Sequence, residues 1–574
     1  MLVEIIYILY KSTLINRQVR RRLSMPDVFI YDTTLRDGNQ ARGVSLSLDD
    51  KLLIAKRLDA LGIHYIEGGW PNATNPTDVN FYPAVAKYKL KNAKIAAFGS
   101  TRRPKIKPKD DPGLQSLVDT RAPVLTIFGK SWDLHATQVI KTTLDENIIM
   151  IEDSVAYLKK QCEELIYDAE HFFDGYKANA DYALKTVEAA LNGGADCIVL
   201  CDTNGGMLPM EIRDIFLDVK KQFDCPLGIH VHNDSGCAEA NTMICVSEGA
   251  THIQGTFNGL GERCGNANLC TMIPDIELKL GLKTIGKKKL RQLKPVSVFI
   301  SEIANIHHDV RQPFVGEAAF SHKGGAHIDG VLKVRQSFEH IDPVLVGNER
   351  TYILSDQAGG STIVEKLSTF IPNINKKDPL VRKLLLKVKK MESEGYQFEA
   401  AEASFELLAK RELGLYKEPF NFRGFRVIEE KRSDSTPFSE ATIRVEAKGT
   451  IEHTAAEGDG PVNALDNAIR KALSRFYPQL SEIRLTDYKV LVIDAKVGTA
   501  AKVRVLIESS DGHDVWGTVG VSENIIEASW IALADSLHYK LMKDLRAGAM
   551  ERGESAGPEY QREAAATAAE DGVR

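Results

Sequence analysis

The sequence lacks an excess of positive charge, a paired-cysteine pattern and an apolar run long enough to span a membrane. Its 73 lysines and arginines are outnumbered by 78 aspartates and glutamates, and the net charge is −5. This balance does not suggest a nucleic-acid partner, and no membrane partner is expected. The eight cysteines form no C-x-x-C pair, which is typical of reduced thiols in a cytoplasmic protein.

The N-terminal segment, MLVEIIYILYKSTLINRQVRRRLSM, also lacks the features of a secretory signal. Its apolar residues precede the basic cluster, which reverses the order found in signal peptides, and no small-residue cleavage site follows. We expect residues 1–24 to be an unstructured extension ahead of Met25. A transit peptide is the alternative, and a cytoplasmic location is the overall expectation.

A short apolar strand, a polar turn and an amphipathic helix recur from Val28 to about Phe257. The predicted strands are VFIYD, HYIEG, KIAAF, VLTIF, ELIYD, CIVLC, LGIHVH and HIQGTF. Eight such units have the size and rhythm of a (β/α)8 TIM barrel, which we place at residues 25–285. An open doubly wound sheet is the alternative, although such sheets more commonly stop at five or six strands.

Two further regions follow the predicted barrel. Residues 286–415 have the pattern of a helical linker subdomain that completes the active site. Residues 421–545 contain long strands followed by a helix, twice over, which predicts an α+β domain built from a tandem βββα repeat. Residues 546–574 are polar and rich in alanine and glutamate, so we expect a disordered tail.

The catalytic face of a TIM barrel lies at the C-terminal ends of its strands. In VFIYDTTLRDGNQ the first strand ends just before Arg36 and Asp37. A guanidinium and a carboxylate this close suit anion and metal chemistry. For any single pair of this kind, however, a solvated ion pair is the more common explanation. Asp32, which is nearer the strand, is expected to have a structural role.

The seventh predicted strand carries a second polar motif, HVHND. His230 and His232 are two residues apart on a strand, so both side chains point to the same face, here the barrel mouth. Two imidazoles suit a first-row divalent metal, while hydrogen-bonded core histidines are the alternative. The carboxylate of Asp37 would complete a donor set that leaves coordination positions open for a substrate.

Two glycine-rich stretches each add one candidate residue. GLGERCGNAN lacks the G-x-G-x-x-G register of a dinucleotide site, but its Asn266 could offer an amide oxygen to the metal. In GGAHIDGV, glycines flank His327. A lone histidine is usually structural, and the alternative is a mobile loop that brings a general acid or base to the rim.

These motifs together identify a family resemblance that covers nearly everything from Val28 to Leu545. DTTLRDGNQ, HVHND and GLGERCGNAN closely resemble the DRE-TIM family of metal-dependent acyl-CoA condensing enzymes and lyases. GGAHIDGV and the C-terminal tandem repeat narrow the resemblance to the branch that holds 2-isopropylmalate, homocitrate and citramalate synthases. The implied activity is that of an acyltransferase that joins acetyl-CoA to a 2-keto acid and then hydrolyses the thioester.

The resemblance implies a metal site with an arginine side chain beside it. The ligands are Asp37, His230 and His232, with Asn266 as the fourth, and the metal is Mg²⁺, Mn²⁺ or Zn²⁺. Arg36 binds the keto acid and stabilises the alkoxide that forms on it. The metal and the guanidinium together stabilise the negative charge that develops in the transition state.

Other positions carry further implied roles. Glu170 matches the base that removes a methyl proton from acetyl-CoA, and Thr203 and Gln40 match substrate-binding positions. His327 and Tyr352, which follow the barrel in sequence, match groups that assist catalysis. All of these assignments are expectations from the resemblance.

Three segments on substrate-side loops bear on which keto acid is used. EGGWPNATNPTDVNFY, AAFGSTRR and TIFGKSWDLHATQVIKTTLDEN most resemble the members of the branch that use pyruvate. The chain has Trp70 and a longer loop where 2-isopropylmalate synthases have a shorter segment. Use of 2-oxoisovalerate or 2-oxoglutarate, C–C bond cleavage, and a non-catalytic amino-acid sensor are the alternatives.

The C-terminal repeat resembles the regulatory domain of this branch, which binds branched-chain amino acids. Because the pyruvate-using route leads to isoleucine, isoleucine is the expected inhibitor and leucine the second choice. Relatives are dimers with intertwined C-terminal parts, so a homodimer is expected. Deleting the residues after about Leu415 should then leave the chemistry intact and abolish inhibition.

Overall fold

The computed structural model describes residues 27–551, apart from residue 432, residues 434–435 and residues 494–500. These residues form two compact units. The first comprises the described residues up to Phe320 together with Ile341–Arg350, and the second comprises Ser321–His340 and the described residues from Thr351 onward. The expectations for residues 1–24 and for residues 552–574 concern positions outside the described part of the chain.

The first unit contains a closed barrel of eight parallel strands. Each strand pairs with the next along the chain, and the eighth pairs with the first. The strands are β1 Phe29–Asp32, β2 Tyr65–Glu67, β3 Lys94–Ser100, β4 Val124–Lys130, β5 Glu164–Glu170, β6 Cys197–Asp202, β7 Leu227–Val231 and β8 His252–Gly255. The predicted TIM barrel is therefore confirmed, and the alternative of an open sheet is wrong.

Helices follow the strands as the sequence pattern predicted. They are α1 Leu48–Leu61, α2 Pro76–Val85, α3 Pro112–Asp119, α4 Leu144–Leu158, α5 Phe172–Ala178, α6 Ala180–Gly193, α7 Pro209–Gln222, α8 Ala238–Ser247 and α9 Leu269–Leu278. Helix α1 begins at a capping box between Ser47 and Asp50 and ends at Gly62, whose φ of 99° is readily adopted only by glycine.

Alternation along the strands separates two buried layers. Residues that point outward, such as Ile30 and Ile66, join one large core between strands and helices. Tyr31, Cys197 and Cys201 point inward and belong to a small core inside the barrel. The two cysteines are thus buried packing residues, as a cysteine on an apolar strand predicts. All eight cysteines are free thiols.

The first unit continues past the boundary predicted at residue 285. Helices α10 Lys287–Leu290 and α11 Leu293–Ile303 follow the barrel. Their residues Leu293, Val296 and Ile300 are buried in the same core as the barrel helices. Removing these side chains from water ties the segment to the barrel, so residues 286–320 belong with it and not with a separate linker.

The second unit begins with a short two-stranded sheet and four helices. The parallel strands are β9 Ser321–His322 and β10 Thr351–Tyr352, and the helices are α12 Gly325–Lys333, α13 Gly360–Ser368, α14 Pro379–Ser393 and α15 Glu402–Glu412. The segment around His327 is therefore the first turn of α12, and the alternative of a loop there is wrong. Its glycines mark where that helix begins.

The C-terminal repeat has the predicted architecture. Antiparallel strands β11 Phe420–Glu430, β12 Phe438–Ala447 and β13 Thr450–Gly458 precede helix α16 Pro461–Leu473, and strands β14 Arg484–Val492, β15 Val503–Ser510 and β16 Val515–Ser522 precede α17 Ile525–Glu551. Each repeat has a register shift near the start of its first strand, at Phe422/Gly424 and at Leu485/Asp487. This shared irregularity supports a tandem origin.

Two boundaries in this unit differ from expectation. Val519 of β16 shares a buried core with Leu384 of α14 and Phe405 of α15, so the predicted linker helices and the repeat form one packed body. Helix α17 continues to Glu551, beyond the predicted end at 545. In the described ranges, no helix is long and apolar enough to cross a membrane.

Candidate active site

The C-terminal ends of the barrel strands surround a cavity of about 180 Å³. Seven of the ten predicted site residues line this cavity, namely Arg36, Asp37, Gln40, Glu170, Thr203, His230 and His232. Asn266 is buried beside the histidines. The other two, His327 and Tyr352, belong to the second unit. Barrel closure thus brings together residues that are far apart in the sequence, such as Asp37 and Asn266, which are 229 positions apart.

The turn after β1 is fixed by a buried carboxyl group. The side chain of Asp32 accepts hydrogen bonds from the amide and the hydroxyl of Thr34 at 3.0 and 2.9 Å. The same hydroxyl oxygen accepts a hydrogen bond from the Phe257 amide at 2.9 Å, which joins this turn to the end of β8. Burial raises the pKa of Asp32 to about 7. These hydrogen bonds stabilise the turn, in agreement with the structural role expected for Asp32.

The guanidinium of Arg36 contacts two carboxylates, Asp37 and Glu67, and one aromatic ring, Phe98. Its terminal nitrogens donate to the Asp37 carboxylate at 2.5 and 2.9 Å, and its Nε donates to Glu67 Oε1. The guanidinium carbon lies 3.7 Å from the centroid of the Phe98 ring. A guanidinium that donates hydrogen bonds to two carboxylates is far more rigid than an ion pair in solvent. The solvated pair considered from the sequence is therefore excluded for Arg36 and Asp37.

The charges of this cluster influence one another strongly. Burial raises the pKa of Glu67, against the opposite effect of Arg36. Burial would also raise the pKa of Asp37, but Arg36, His230 and His232 outweigh it and lower that pKa. Glu67 additionally accepts a hydrogen bond from Tyr31 at 2.8 Å. The sequence did not identify Glu67 as the partner of Arg36; its only signal was its position at the end of the second strand.

His230 on β7 and His232 directly after that strand lie side by side at the barrel mouth. Their Nε2 atoms are 3.4 Å apart. Burial lowers the pKa of His230, and it lowers the pKa of His232 to about 3. Both imidazoles are therefore neutral at pH 7, which is the form that binds metals. Two nitrogens at this separation can both contact one ion at about 2.1 Å each.

A hydrogen-bonded chain beneath His230 fixes the orientation of its ring. Its Nδ1 is 2.9 Å from Gln254 Oε1, and Gln254 Nε2 donates to Asp168 Oδ1 at 3.0 Å. Gln254 is on β8 and Asp168 on β5, inside the barrel. Burial raises the pKa of Asp168 well above its usual range. Neither residue was predicted from the sequence.

The predicted metal ligands Asp37, His230 and Asn266 lie close to one another. Asn266 Nδ2 is 3.3 Å from both Asp37 Oδ2 and His230 Nε2, and the last two atoms are 3.6 Å apart. Asn266 Oδ1 and His232 Nδ1 are buried without a hydrogen-bond partner. Unsatisfied buried polar atoms at a donor cluster are consistent with a bound ion.

The cluster is nevertheless not arranged as a ready metal centre. Among the residues that the structure describes, no three or more His, Cys, Asp and Glu side chains are placed as such a site. The reason is visible at Asp37, because both of its oxygens are engaged by Arg36. The residue types and their proximity fit a divalent metal, and a bound ion would have to share the Asp37 carboxylate with Arg36.

The opposite wall of the cavity carries the predicted base. Glu170 ends β5 and forms an ion pair with Lys130, at the end of β4. The hydroxyl of Thr203 accepts a hydrogen bond from the backbone amide of His171 at 2.9 Å. His171 has a left-handed backbone with φ of 55°, which is uncommon for a residue other than glycine. This bond fixes the backbone directly after Glu170.

Three aromatic rings complete the cavity. Trp70 contacts Phe98 and Phe128 edge-on, with centroid distances of 5.8 and 5.4 Å, and the two phenylalanine rings stack at 5.4 Å. Trp70 had been noted from the sequence, but the phenylalanines had not. Their signal was their position at the ends of the third and fourth strands. The rings give one side of the cavity a rigid apolar wall.

In the second unit, His327 stacks on Phe338 with centroids 4.3 Å apart and is exposed to solvent. Tyr352 pairs in register with His322, whose Nε2 is 3.1 Å from Glu339 Oε1. His322 and Glu339 are both buried and were missed by the sequence analysis. The catalytic roles expected for His327 and Tyr352 stay predictions.

Three family models match the chain in succession. The model described as HMGL-like matches residues 27–297. The model described as Homocitrate synthase post-HMGL domain-like matches residues 314–395, and the LeuA allosteric (dimerisation) domain matches residues 399–541. The order of these matches follows the barrel, the helices after it and the tandem repeat.

Similarity to curated proteins extends over most of the chain. The (R)-citramalate synthase of Aquifex aeolicus (strain VF5) is 57% identical over 523 residues, which cover 91% of this chain and 99% of that protein. The (R)-citramalate synthase of Geobacter sulfurreducens is 55% identical over 90% of this chain and 98% of that protein. The 2-isopropylmalate synthase of Methanocaldococcus jannaschii is 30% identical over 92% and 98%.

Proposed function

Because this chain belongs to the (R)-citramalate synthase family, we propose that it condenses acetyl-CoA with pyruvate and releases (R)-citramalate and CoA. The observation that carries the proposal is the convergence of Arg36, Asp37, His230 and His232 on one cavity at the C-terminal end of the barrel. The chain is then an acyltransferase in which the acetyl group becomes an alkyl group of the product. Identity of 57% to one such synthase, against 30% to a 2-isopropylmalate synthase, supports pyruvate as the keto acid.

HMGL-like enzymes use a divalent metal, and the residues that would hold it here are Asp37, His230, His232 and Asn266. When bound, the metal polarises the keto group of pyruvate and anchors its carboxylate. Arg36 lies beside Asp37 and faces the same cavity. Its guanidinium meets the negative charge that develops on the keto oxygen.

The new carbon–carbon bond requires removal of a proton. Glu170 takes it from the methyl group of acetyl-CoA, and the resulting carbon nucleophile attacks the keto carbon of pyruvate. The keto oxygen then takes up a proton and becomes the hydroxyl group of the product. Water then attacks the thioester, the carbon–sulfur bond breaks and CoA leaves with a proton. Thr203 and Gln40 contact the keto acid.

A keto-acid profile tests the proposed function. We expect kcat/KM for pyruvate to exceed that for 2-oxoisovalerate by about 100-fold, since the wall of Trp70, Phe98 and Phe128 resists larger side chains. The measurement is release of CoA thiol from acetyl-CoA with each keto acid in turn. A preference for 2-oxoisovalerate or 2-oxoglutarate would assign the chain to another member of the branch. Absence of thiol release with all three would indicate a non-catalytic protein.

We also propose that the second unit regulates the barrel. The match to the LeuA allosteric (dimerisation) domain supports allosteric regulation and a homodimer. Isoleucine is the proposed inhibitor, because citramalate formation is a step towards that amino acid, and leucine is the second choice.

Isoleucine is expected to lower turnover of the full-length chain and to raise its unfolding temperature, with leucine less effective. A ligand that binds only the folded state stabilises a protein by an amount that grows with the logarithm of the ligand concentration once that concentration exceeds the dissociation constant. Steady-state thiol release and thermal unfolding, each with isoleucine, leucine or no addition, measure the two effects. An enzyme indifferent to both amino acids would contradict the proposal. A chain cut after Leu415 is a poor test, because it removes Val519 from the core around Phe405.

A further inference from the structure

Inside the barrel, next to the cavity that Asp168 helps to line, lies a pair of buried polar residues that the proposed chemistry does not use. Gln254 is fully buried and Asp168 is 3% exposed. Both face a barrel interior that contains a cluster of apolar and aromatic side chains, among them Tyr31, Ile166 and Val199. Placing an amide and a carboxyl group there is costly unless their hydrogen bonds are satisfied. Gln254 and Asp168 therefore need hydrogen-bond partners, and the geometry of those hydrogen bonds indicates what the pair does.

The contacts lead to one metal-ligand candidate. His230 Nδ1 lies 2.9 Å from Gln254 Oε1, and Gln254 Nε2 donates to Asp168 Oδ1 at 3.0 Å. An amide oxygen has no proton, so His230 Nδ1 must be the donor. The second nitrogen, Nε2, then carries a lone pair. It points at His232 Nε2 and Asn266 Nδ2, at 3.4 and 3.3 Å.

The contact with Asn266 independently supports this tautomer. Its amide nitrogen can only donate, so the nitrogen of His230 that it faces must be the acceptor. The two sides of the imidazole thus agree on where the proton is. A rotated Gln254 amide would present its NH2 group to Nδ1 and move the ring proton to Nε2, which would block that nitrogen as a ligand. Asp168 opposes the rotation because Oδ1 accepts from Gln254 Nε2.

We propose that Gln254, oriented by Asp168, is a positioning residue that holds His230 in the tautomer able to bind the metal. The inference rests on the proposed function, because it concerns the metal site of the same reaction. Gln254 touches neither substrate nor metal and acts through His230. Partners that orient a ligand histidine typically change metal affinity 10- to 100-fold when removed.

Titration of metal-depleted protein with Mn²⁺ alone, followed by calorimetry, tests the proposal. Gln254→Leu is expected to raise the dissociation constant for Mn²⁺ by about 10- to 100-fold. Gln254→Glu keeps an acceptor for His230 Nδ1 and is expected to bind within about threefold of the original chain. Because the defect is in metal affinity, a large excess of Mn²⁺ should restore most of the turnover of Gln254→Leu.

Asn241→Leu is the matched control for loss of a buried amide. Asn241 is fully buried, donates to the Met207 carbonyl at 2.8 Å and lies outside the cavity. It should lose stability as Gln254→Leu does but bind Mn²⁺ normally. If Gln254→Leu does not fold, Asp168→Leu replaces it, since that change leaves His230 and Gln254 in place and is expected to weaken Mn²⁺ binding about tenfold.

The possible outcomes separate this inference from the proposed function. Wild-type affinity in Gln254→Leu, or in Asp168→Leu if that variant is used, would overturn the positioning role, provided that His230→Ala loses Mn²⁺. Equal losses in Gln254→Glu and Gln254→Leu would also overturn it. If the original chain fails to bind Mn²⁺, or His230→Ala binds it normally, the metal site itself is refuted and the inference falls with it.

Discussion

Arg36→Lys is expected to lower kcat about 10³-fold while changing KM for pyruvate much less. The guanidinium donates to Glu67 through Nε and to Asp37 through both terminal nitrogens. A lysine ammonium is a single point that cannot hold both carboxylates and also face the cavity. Steady-state thiol release at saturating and limiting pyruvate separates kcat from KM.

Lysine is preferred to alanine because it keeps a positive charge beside two buried carboxylates. Removing one partner of a buried ion pair commonly costs about 3–5 kcal/mol of stability, which would obscure a catalytic effect. Arg102→Lys is the matched control. Arg102 is also buried between two carboxylates, Asp153 at 2.8 Å and Glu146 at 2.9 Å, but it lies outside the cavity.

The control is expected to retain kcat within about twofold, since its guanidinium is held by Asp153 and Glu146 and does not line the cavity. Thermal unfolding of both variants should show comparable, modest losses. If Arg36→Lys and Arg102→Lys lost turnover to the same extent, the effect would be structural and Arg36 would have no special role at the keto oxygen.

Glu170→Gln is expected to lower turnover about 10³-fold and to stop exchange of the acetyl-CoA methyl protons with solvent deuterium. The amide keeps the size of the side chain but cannot accept the methyl proton. Lys130, its ion-pair partner, is partly exposed, so losing the pair has little effect on stability. Mass spectrometry of acetyl-CoA incubated in deuterium oxide with the enzyme measures the exchange.

Glu164→Gln provides the comparison on the same strand. Glu164 is at the opposite end of β5, where it accepts a hydrogen bond from Tyr65 at 2.8 Å, and it is remote from the cavity. Normal turnover and exchange are expected for it. Wild-type exchange in Glu170→Gln would remove Glu170 as the base, and the proton acceptor would then have to be sought elsewhere around the cavity.

The barrel was predictable because its signals are local. Each strand is a short apolar run ended by polar residues, and each helix begins and ends at recognisable residues, as at Ser47 and Gly62. The internal repeat was visible for the same reason. Domain limits were less predictable, since they depend on which apolar faces meet. Leu293 packs on the barrel core and Val519 packs against α14 and α15.

The residues of the candidate active site also fall into two groups, those that the sequence identified and those that it did not. Arg36, Asp37, His230 and His232 stand in motifs with unusual residue types at strand ends, so the sequence located them. Their supporting residues have no such signal. Glu67, Asp168 and Gln254 stand in no recognisable motif, and nothing nearby in the sequence shows what they contact.

The sequence by itself therefore determined the eight β/α units, the tandem repeat and the chemistry that its polar motifs can supply. Those properties follow from side-chain periodicity and residue type, which act over a few positions. Only the tertiary structure decided that Asp37 shares its carboxylate with Arg36 and that Gln254 joins His230 to Asp168. Hydrogen bonds between side chains depend on distances of about 3 Å, and closure of the barrel sets those distances between strands far apart in sequence.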